Sequence, residues 1–403
     1  MNLSPALEKA YTEEHLSARE AQARAEWIAW APIVFQASRL MVKLGILDLL
    51  RDSDNGMTIA EVASKTGLSV YAVKVLMEAS LSIGTVLIEA SPDPSKRKGD
   101  SQEPRFTLSK TGWFLLTDTC TRVNMDFNHD VNYEGLFHLE EALRESRPAG
   151  LKHFGDWKTI YEGLSSLPEQ VQKSWFGFDH FYSDGSFEQA LKVVFSAEQS
   201  GRAGCGQKPH RLLDVGGNTG RWALRCVGYD PDVEVTVMDL PQQLRLMKEQ
   251  TAGKPGAERI DGYATDLLNR ENPFPTDRHY DVIWMSQFLD CFGEEEIQSI
   301  LERAVKIMDE TNRLYIMETL WDRQRFETAA FCLTMTSLYF TAMANGNSKM
   351  YNTDDLTRVI RQAGLEVETI YDGLGLGHSI MVVKASPDPS KREGNQPRVR
   401  GNI

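Results

Sequence analysis

The stretch LLDVGGNTG, residues 212–220, decides the reading of this 403-residue chain. Two apolar residues lead into Asp214 and Val215, and glycines follow at 216, 217 and 220 with the spacing G-G-x-x-G. The pattern is that of a buried parallel strand that ends in a tight turn and opens a helix at Arg221. Glycines let backbone come close to a ligand, and a helix N-terminus offers free N–H groups. A bare strand–turn–helix of an α/β domain has the same outline, and dinucleotide-binding folds use a related turn.

The next strand narrows the choice. Residues 233–238, VEVTVM, alternate and are β-branched, and they run into Asp239-Leu240-Pro241. An acidic residue at that strand end, about 20 residues beyond the glycines, suits hydrogen bonding to a ribose diol. Asp266 follows in GYATDLLN, then the apolar runs YDVIWMSQFL (280–289) and RLYIMETLW (313–321). Residues 365–371 and 379–384 read as the last two strands.

In this order, DVGGxxG, MDLP, TDLL and a strand with a site-bearing tail, the chain resembles S-adenosylmethionine-dependent methyltransferases. More narrowly, it resembles the small-molecule O-methyltransferases of the plant-caffeate and bacterial-antibiotic type, over nearly its whole length. The resemblance implies an α/β, Rossmann-like, seven-stranded methyltransferase domain with its last strand antiparallel. A helical winged-helix dimerisation domain precedes it. The implied layout is dimerisation at 1–120, a helical connector lining the acceptor pocket at 121–190, the cofactor domain at 191–384 and a polar, disordered tail at 385–403. S-adenosylmethionine would be held by Asp214, Gly216, Gly217, Gly220, Asp239, Leu240, Asp266 and Leu267. The implied reaction is methyl transfer to a hydroxyl of an aromatic or polyketide-like small molecule. Some relatives of this type methylate carbon, as on tetrapyrroles, and some no longer methylate.

Composition fits a cytoplasmic enzyme. Acidic residues outnumber basic ones, 57 to 44, for a formal charge of −13, which disfavours a nucleic-acid partner. Five scattered cysteines (120, 205, 226, 291, 332) with no CxxC pair indicate neither a disulfide framework nor a metal site. The first residues, MNLSPALEKAYTEEH, carry charge and no apolar core, unlike a signal peptide, and no apolar run reaches membrane-spanning length.

In the N-terminal third, residues 27–50 form a strongly apolar helical region with Pro32 inside it. Such a segment is either core or the meeting surface of a second subunit; the resemblance implies an interlocked homodimer. In residues 57–84, Thr58 and Glu61 make a capping box, Gly67 a turn, and Ser69 a second cap. With wing strands at 86–89 and 105–108 this is a winged helix-turn-helix. A winged-helix ligand-binding regulator is the rival from another class. The would-be recognition helix, SVYAVKVLMEAS, holds one Lys and no Arg, too little for reading bases and phosphates. The octapeptide ASPDPSKR occurs at 90–97 and again at 385–392, and both copies read as surface insertions.

Residues 124–186 are rich in aromatics and His. Phe176, Phe178, His180 and Phe181 are candidates to face a flat acceptor, and ordinary core residues otherwise.

At the reacting centre the chain departs from the family. The plant enzymes carry His-Asp-Trp after strand four, with the His as base; the corresponding residues are Asp290, Cys291 and Phe292. A carboxylate in an apolar pocket is raised toward neutrality and becomes a better base. Alternatively, Asp290 caps the helix that begins near Gly293. Glu318 matches the family Glu that orients the base, and Asn345 matches an Asn that bonds the acceptor. A second family Glu is replaced by Met350. The hairpin GLGLGH brings His378 to the C-terminal strand ends near Glu318, as a second candidate base.

Overall fold

Helix caps set the pattern of the N-terminal unit, Glu14–Asp130. In the computed structural model, which describes residues 3–89, 103–196, 208–386 and 398–400, the Thr58 hydroxyl accepts from Glu61 N, and the Glu61 carboxylate accepts from Thr58 N. Gly67 closes that helix, Ile59–Thr66, at φ +73°, and Ser69 caps the next, Val70–Ile83. Strands β1 (Val86–Ile88) and β2 (Phe106–Leu108) pair antiparallel as the wing. The first ASPDPSKR copy and most of the second lie outside the described residues.

The apolar region read at 27–50 is two helices, Ala18–Lys43 with Pro32 inside and Ile46–Arg51, separated by Gly45 at φ +71°. Met41, Ile46, Leu47 and Leu50 enter the unit's core. Trp27, Ile28, Trp30 and Ile33 are exposed in the single chain, as are Val70, Tyr71 and Val75 of the would-be recognition helix.

The second unit comprises Met1–Glu13 and Val131–Ile403. Its sheet is built from β3 (Arg211–Val215), β4 (Glu234–Asp239), β5 (Ile260–Ala264), β6 (Val282–Ser286), β7 (Arg313–Glu318), β8 (Leu365–Leu374), β9 (His378–Ala385) and β10 (Arg398–Arg400). The order is β10-β8-β9-β7-β6-β3-β4-β5. All pairings are parallel except those of β9 with β7 and β8. The antiparallel last strand of the seven thus lies beside β7, and the short β10, within the stretch read as tail, adds an eighth at the β8 edge.

Strand alternation sorts the side chains onto two faces. Leu213, Val215, Ile283, Met285, Leu314, Ile316 and Met381 share one face with helices Glu294–Val305 and Thr353–Gln362. Leu212, Val235, Val237, Trp284, Tyr315, Met317 and Ile380 share the other with helices Phe187–Phe195, Arg221–Tyr229 and Pro241–Thr251. The sequence places the N-terminal segment in the dimerisation domain, but residues 3–13 pack on the second unit. There Ser4 N donates to Asp322 O at 2.9 Å, and Ser4 Oγ to Gln324 O at 2.7 Å.

Candidate active site

The strand ends β3 and β6 and two helices frame a cleft. It is lined by Asp179, His180, Ser183 and Phe187 on one side and by Asp214, Gly216, Gly217, Asn218, Thr219, Arg221 and Trp222 on another; Trp284, Ser286 and Gln287 complete it. Gly216 has φ +75°, and a Cβ there would lie 2.2 Å from Phe288 Cδ2. A Cβ on Gly217 would lie 2.5 Å from Asp214 Oδ2. Gly220 opens the following helix at φ +76° with Met247 against it. Glycine is therefore required by conformation and space at 216 and 220, and by space at 217.

Asp214 is 2 % exposed, and its Oδ2 has no partner. Burial, together with the nearby Asp239, pushes its carboxyl up to about 8. Asp239 accepts from Asn218 N (2.8 Å) and Leu240 N (2.7 Å), which fixes its orientation at the end of β4. Leu240 precedes helix Pro241–Thr251. Asp266 is exposed and turns the chain by accepting from Leu268 N, while Leu267 is buried in the core. The glycine turn lines the cleft directly; Asp239, Leu240, Asp266 and Leu267 are not among its lining residues.

Two cleft residues with left-handed backbone could not be anticipated from the sequence. Asn218 and Gln287 are non-glycine residues at φ 48° and 45°, a region most side chains avoid. Such strain persists where surrounding structure imposes it, often at ligand sites. Asn218 Oδ1, Gln287 Oε1, Trp222 Nε1 and Trp284 Nε1 are all buried without hydrogen-bond partners, and the two indoles stack at 4.3 Å. Buried polar groups are normally satisfied. These atoms and Asp214 Oδ2 fit a ligand that brings both donors and acceptors, as the amino-acid and nucleoside portions of S-adenosylmethionine do.

Across the strand ends, β6 leads into the 3-10 turn Leu289–Cys291. Glu318 Oε1 accepts from Phe288 N (3.1 Å) and Leu289 N (2.9 Å), while its Oε2 has no partner. Asp290 is 5 % exposed. Burial, with Asp179 adding to it, pushes its carboxyl up to about 7. It does not cap the following helix; Glu296 accepts from Gly293 N there. Tyr161 donates to Cys291, and Tyr339 accepts from Trp175 Nε1 at 2.8 Å. Asp179, which sequence reasoning passed over, is pushed up to about 6 by desolvation and by Asp184, although its side chain is 31 % exposed.

The remaining predicted residues fall elsewhere. His378 is fully buried with neither ring nitrogen partnered, and burial lowers it to about 4. Its backbone is beside β7 as expected, but Glu318 pairs with Ser379, so the His378 side chain points to the opposite face from Glu318. That parity and its burial speak against His378 as the second candidate base near Glu318. Asn345 donates to Cys291 O and accepts from Ser348, so it braces the Asp290 loop. His180 lies in the cleft beside Arg221, its Nδ1 at 3.4 Å from Arg221 Nη1. The Phe178 ring meets Tyr182 at a tilt, with centroids 4.9 Å apart, and is not among the cleft's lining residues. Met350 is buried and accepts from Thr319 Oγ1.

Fold and cleft together define an α/β methyltransferase domain that uses S-adenosylmethionine. Residues 207–366 match the O-methyltransferase domain model, and residues 22–93 match the Dimerisation2-like domain model. The chain thus carries an O-methyltransferase domain behind a Dimerisation2-like domain and is an S-adenosylmethionine-dependent methyltransferase. It is 22 % identical to the L-tyrosine C(3)-methyltransferase of Streptomyces lavendulae, over 85 % of this chain and 86 % of that protein. It is 24 % identical to the acetylserotonin O-methyltransferase of Macaca mulatta, over 70 % of this chain and 76 % of that protein. Its fold superposes, at TM-score 0.61 and 19 % identity, on the neocarzinostatin-biosynthesis O-methyltransferase NcsB1 solved with S-adenosylmethionine and a naphthoic acid. That match covers 87 % of this chain and 95 % of that one.

Proposed function

We propose that the protein methylates a hydroxyl of an aromatic or polyketide-like small molecule, with Asp290 as the base. The observation that carries this reading is a carboxyl 5 % exposed, raised to about 7, on the loop after β6. S-adenosylmethionine would be held by Asp214, Gly216, Gly217, Asn218 and Asp239, and when bound it would supply a methyl group activated on sulfonium sulfur. Asp290 Oδ takes the acceptor's hydroxyl proton as the oxygen forms its bond to that methyl carbon. The electrons of the broken C–S bond stay on sulfur. A carboxylate poised near neutrality is matched to a phenol better than an ordinary one. Glu318 holds the loop that presents it, and Phe288 closes the approach from the cofactor turn.

A second reading, transfer to a ring carbon beside the hydroxyl, is favoured by the tyrosine C(3)-methylating relative. Asp290 would then take the phenolic proton and return it to the oxygen as the ring rearomatises, the C–H proton passing to water. Incubation with S-adenosylmethionine and a panel of phenols, read by mass spectrometry and NMR, tests both. A new O-methyl signal supports the first reading and a new aryl C-methyl the second. A panel without any methylated product, from a protein that binds the cofactor, contradicts both.

The exposed apolar residues Trp27, Ile28, Trp30 and Ile33 support a homodimer. An obligate interface buries above about 2,000 Å² in total. Light scattering at low micromolar concentration should give twice the mass of the chain; a monomer there would rule the assembly out. Among the described residues, no helix is long and apolar enough to cross a membrane, and no cluster of His, Cys, Asp and Glu is arranged to hold a metal.

A further inference from the structure

The loop carrying Asp290 has an unusual economy of contacts. Every hydrogen-bond partner described for the Asp290 carboxyl belongs to the loop itself: the Cys291 thiol, with Sγ at 3.5 Å, and the backbone of residues 290 and 291. Among the described residues nothing outside the loop hydrogen-bonds the carboxyl, so the backbone register of the loop decides where it points.

That register is fixed at both ends. On the β7 side Glu318 accepts the N–H groups of Phe288 and Leu289. On the other side the Tyr351 hydroxyl donates to Phe292 O at 2.7 Å, and Asn345 donates to Cys291 O. Tyr351 is 3 % exposed within the core that also holds Leu289, Ile297 and Leu356. Its ring is fixed further by the Lys349 ammonium 5.5 Å from the centroid. Burial pushes its phenol up, so it remains a donor throughout the working range of the enzyme. The Phe292 ring meets Phe288 edge to face at 4.8 Å, and Phe288 in turn sits against Gly216. The chain of contacts therefore runs from the cofactor turn through Phe288 and Phe292 to Tyr351, with Asp290 in its middle.

We propose that Tyr351 is a positioning residue for the transfer reaction: its hydroxyl, gripping the Phe292 carbonyl, sets the loop register that presents Asp290 to the acceptor. The proposal rests on the reading of Asp290 as base. A small displacement of a reacting group costs disproportionately, up to about 10²-fold for a shift near 1 Å. Loss of this anchor also lets water reach the loop, which moves the Asp290 carboxyl back toward its ordinary acidity.

The test is a double-mutant cycle on the full-length enzyme with Tyr351→Phe and Asp290→Asn, read by transfer of labelled methyl to an acceptor found in the phenol panel. Tyr351→Phe should lower kcat roughly 10-fold, leave KM for S-adenosylmethionine unchanged and shift the rising limb of the pH profile to lower pH. In the Asp290→Asn background the same substitution should change kcat by less than about twofold, because the residue it positions is gone. Equal losses in both backgrounds, or no loss in either, overturn the proposal. Full turnover by Asp290→Asn alone overturns instead the base assignment beneath it. Unchanged affinity for S-adenosylhomocysteine in Tyr351→Phe verifies the fold. Should that variant not fold, Asn345→Ala releases the same loop at Cys291 and takes its place in the cycle.

Discussion

The cofactor turn after β3 and the loop after β6 meet at Gly216 and Phe288, yet they are built on opposite principles. The turn is made of backbone. Gly216 and Gly220 adopt left-handed conformations, and Asp214 Oδ2 and Asn218 Oδ1 are buried without hydrogen-bond partners. The loop is made of braces: Glu318, Asn345, Tyr351 and Glu296 tie its backbone at five amide or carbonyl groups. A binding site for a large, fixed cofactor needs open hydrogen-bonding capacity. A residue that moves a proton needs one orientation and a tuned acidity. The first tolerates little change of residue type, whereas the second can change its side chain if the braces remain. On the proposed reading, such braces would let Asp290 serve where the resemblance implies a His.

Removing the base should have the largest effect. Asp290→Asn keeps shape and volume, and turnover should fall about 10²–10⁴-fold with cofactor affinity unchanged. Steady-state kinetics and calorimetry with S-adenosylhomocysteine separate the two quantities, and a variant that loses affinity as well would blur the division between turn and loop.

The glycines divide the same way at smaller cost. A methyl on Gly217 meets Asp214 and Val237, so Gly217→Ala should weaken cofactor binding by about 1–3 kcal/mol and spare kcat at saturation. A methyl on Gly216 meets Phe288, so Gly216→Ala should lower both affinity and kcat. If the two variants behave alike, the contact between turn and loop carries no information to Asp290. Asp239→Ala, which loses the orienting carboxylate at the end of β4, should cost a similar 1–3 kcal/mol in affinity alone.

A separate effect falls on stability. Asp214 is raised to about 8 in the folded state, above its unfolded value near 3.9. The folded protein therefore holds this proton more tightly, and stability falls as pH rises from about 4 to about 8. Relative to wild type, ligand-free Asp214→Asn should gain Tm across that window and level off above it. A Tm difference independent of pH would mean that Asp214 is not held protonated by burial.

How much was legible in the sequence follows the same division. The glycine turn, the Asp239 strand end and the Thr58–Glu61 and Ser69 caps could be read because each is a local rule of backbone geometry. The strand β5 (IDGYA) escaped because Asp261, Gly262 and partial exposure at the sheet edge leave no apolar pattern. Gln287 escaped because nothing in its residue type announces a left-handed backbone. Asp179 and Tyr351 escaped because their roles depend on what folds against them, 111 and 61 residues from Asp290 in the chain. His378 shows the sharpest limit. Topology brought it to the right strand end, but the register of β9 against β7, one residue either way, decides which face it occupies.

The most direct test of Asp290 as base is the pH dependence of kcat in wild type and Asp290→Asn. The carboxyl must be ionised to accept a proton, so wild-type kcat should rise with pH through a limb near 7, well above the ordinary carboxylate range. In Asp290→Asn the residual rate should be flat across that interval. A limb near 7 that persists in Asp290→Asn would assign the titration to another group and contradict the account.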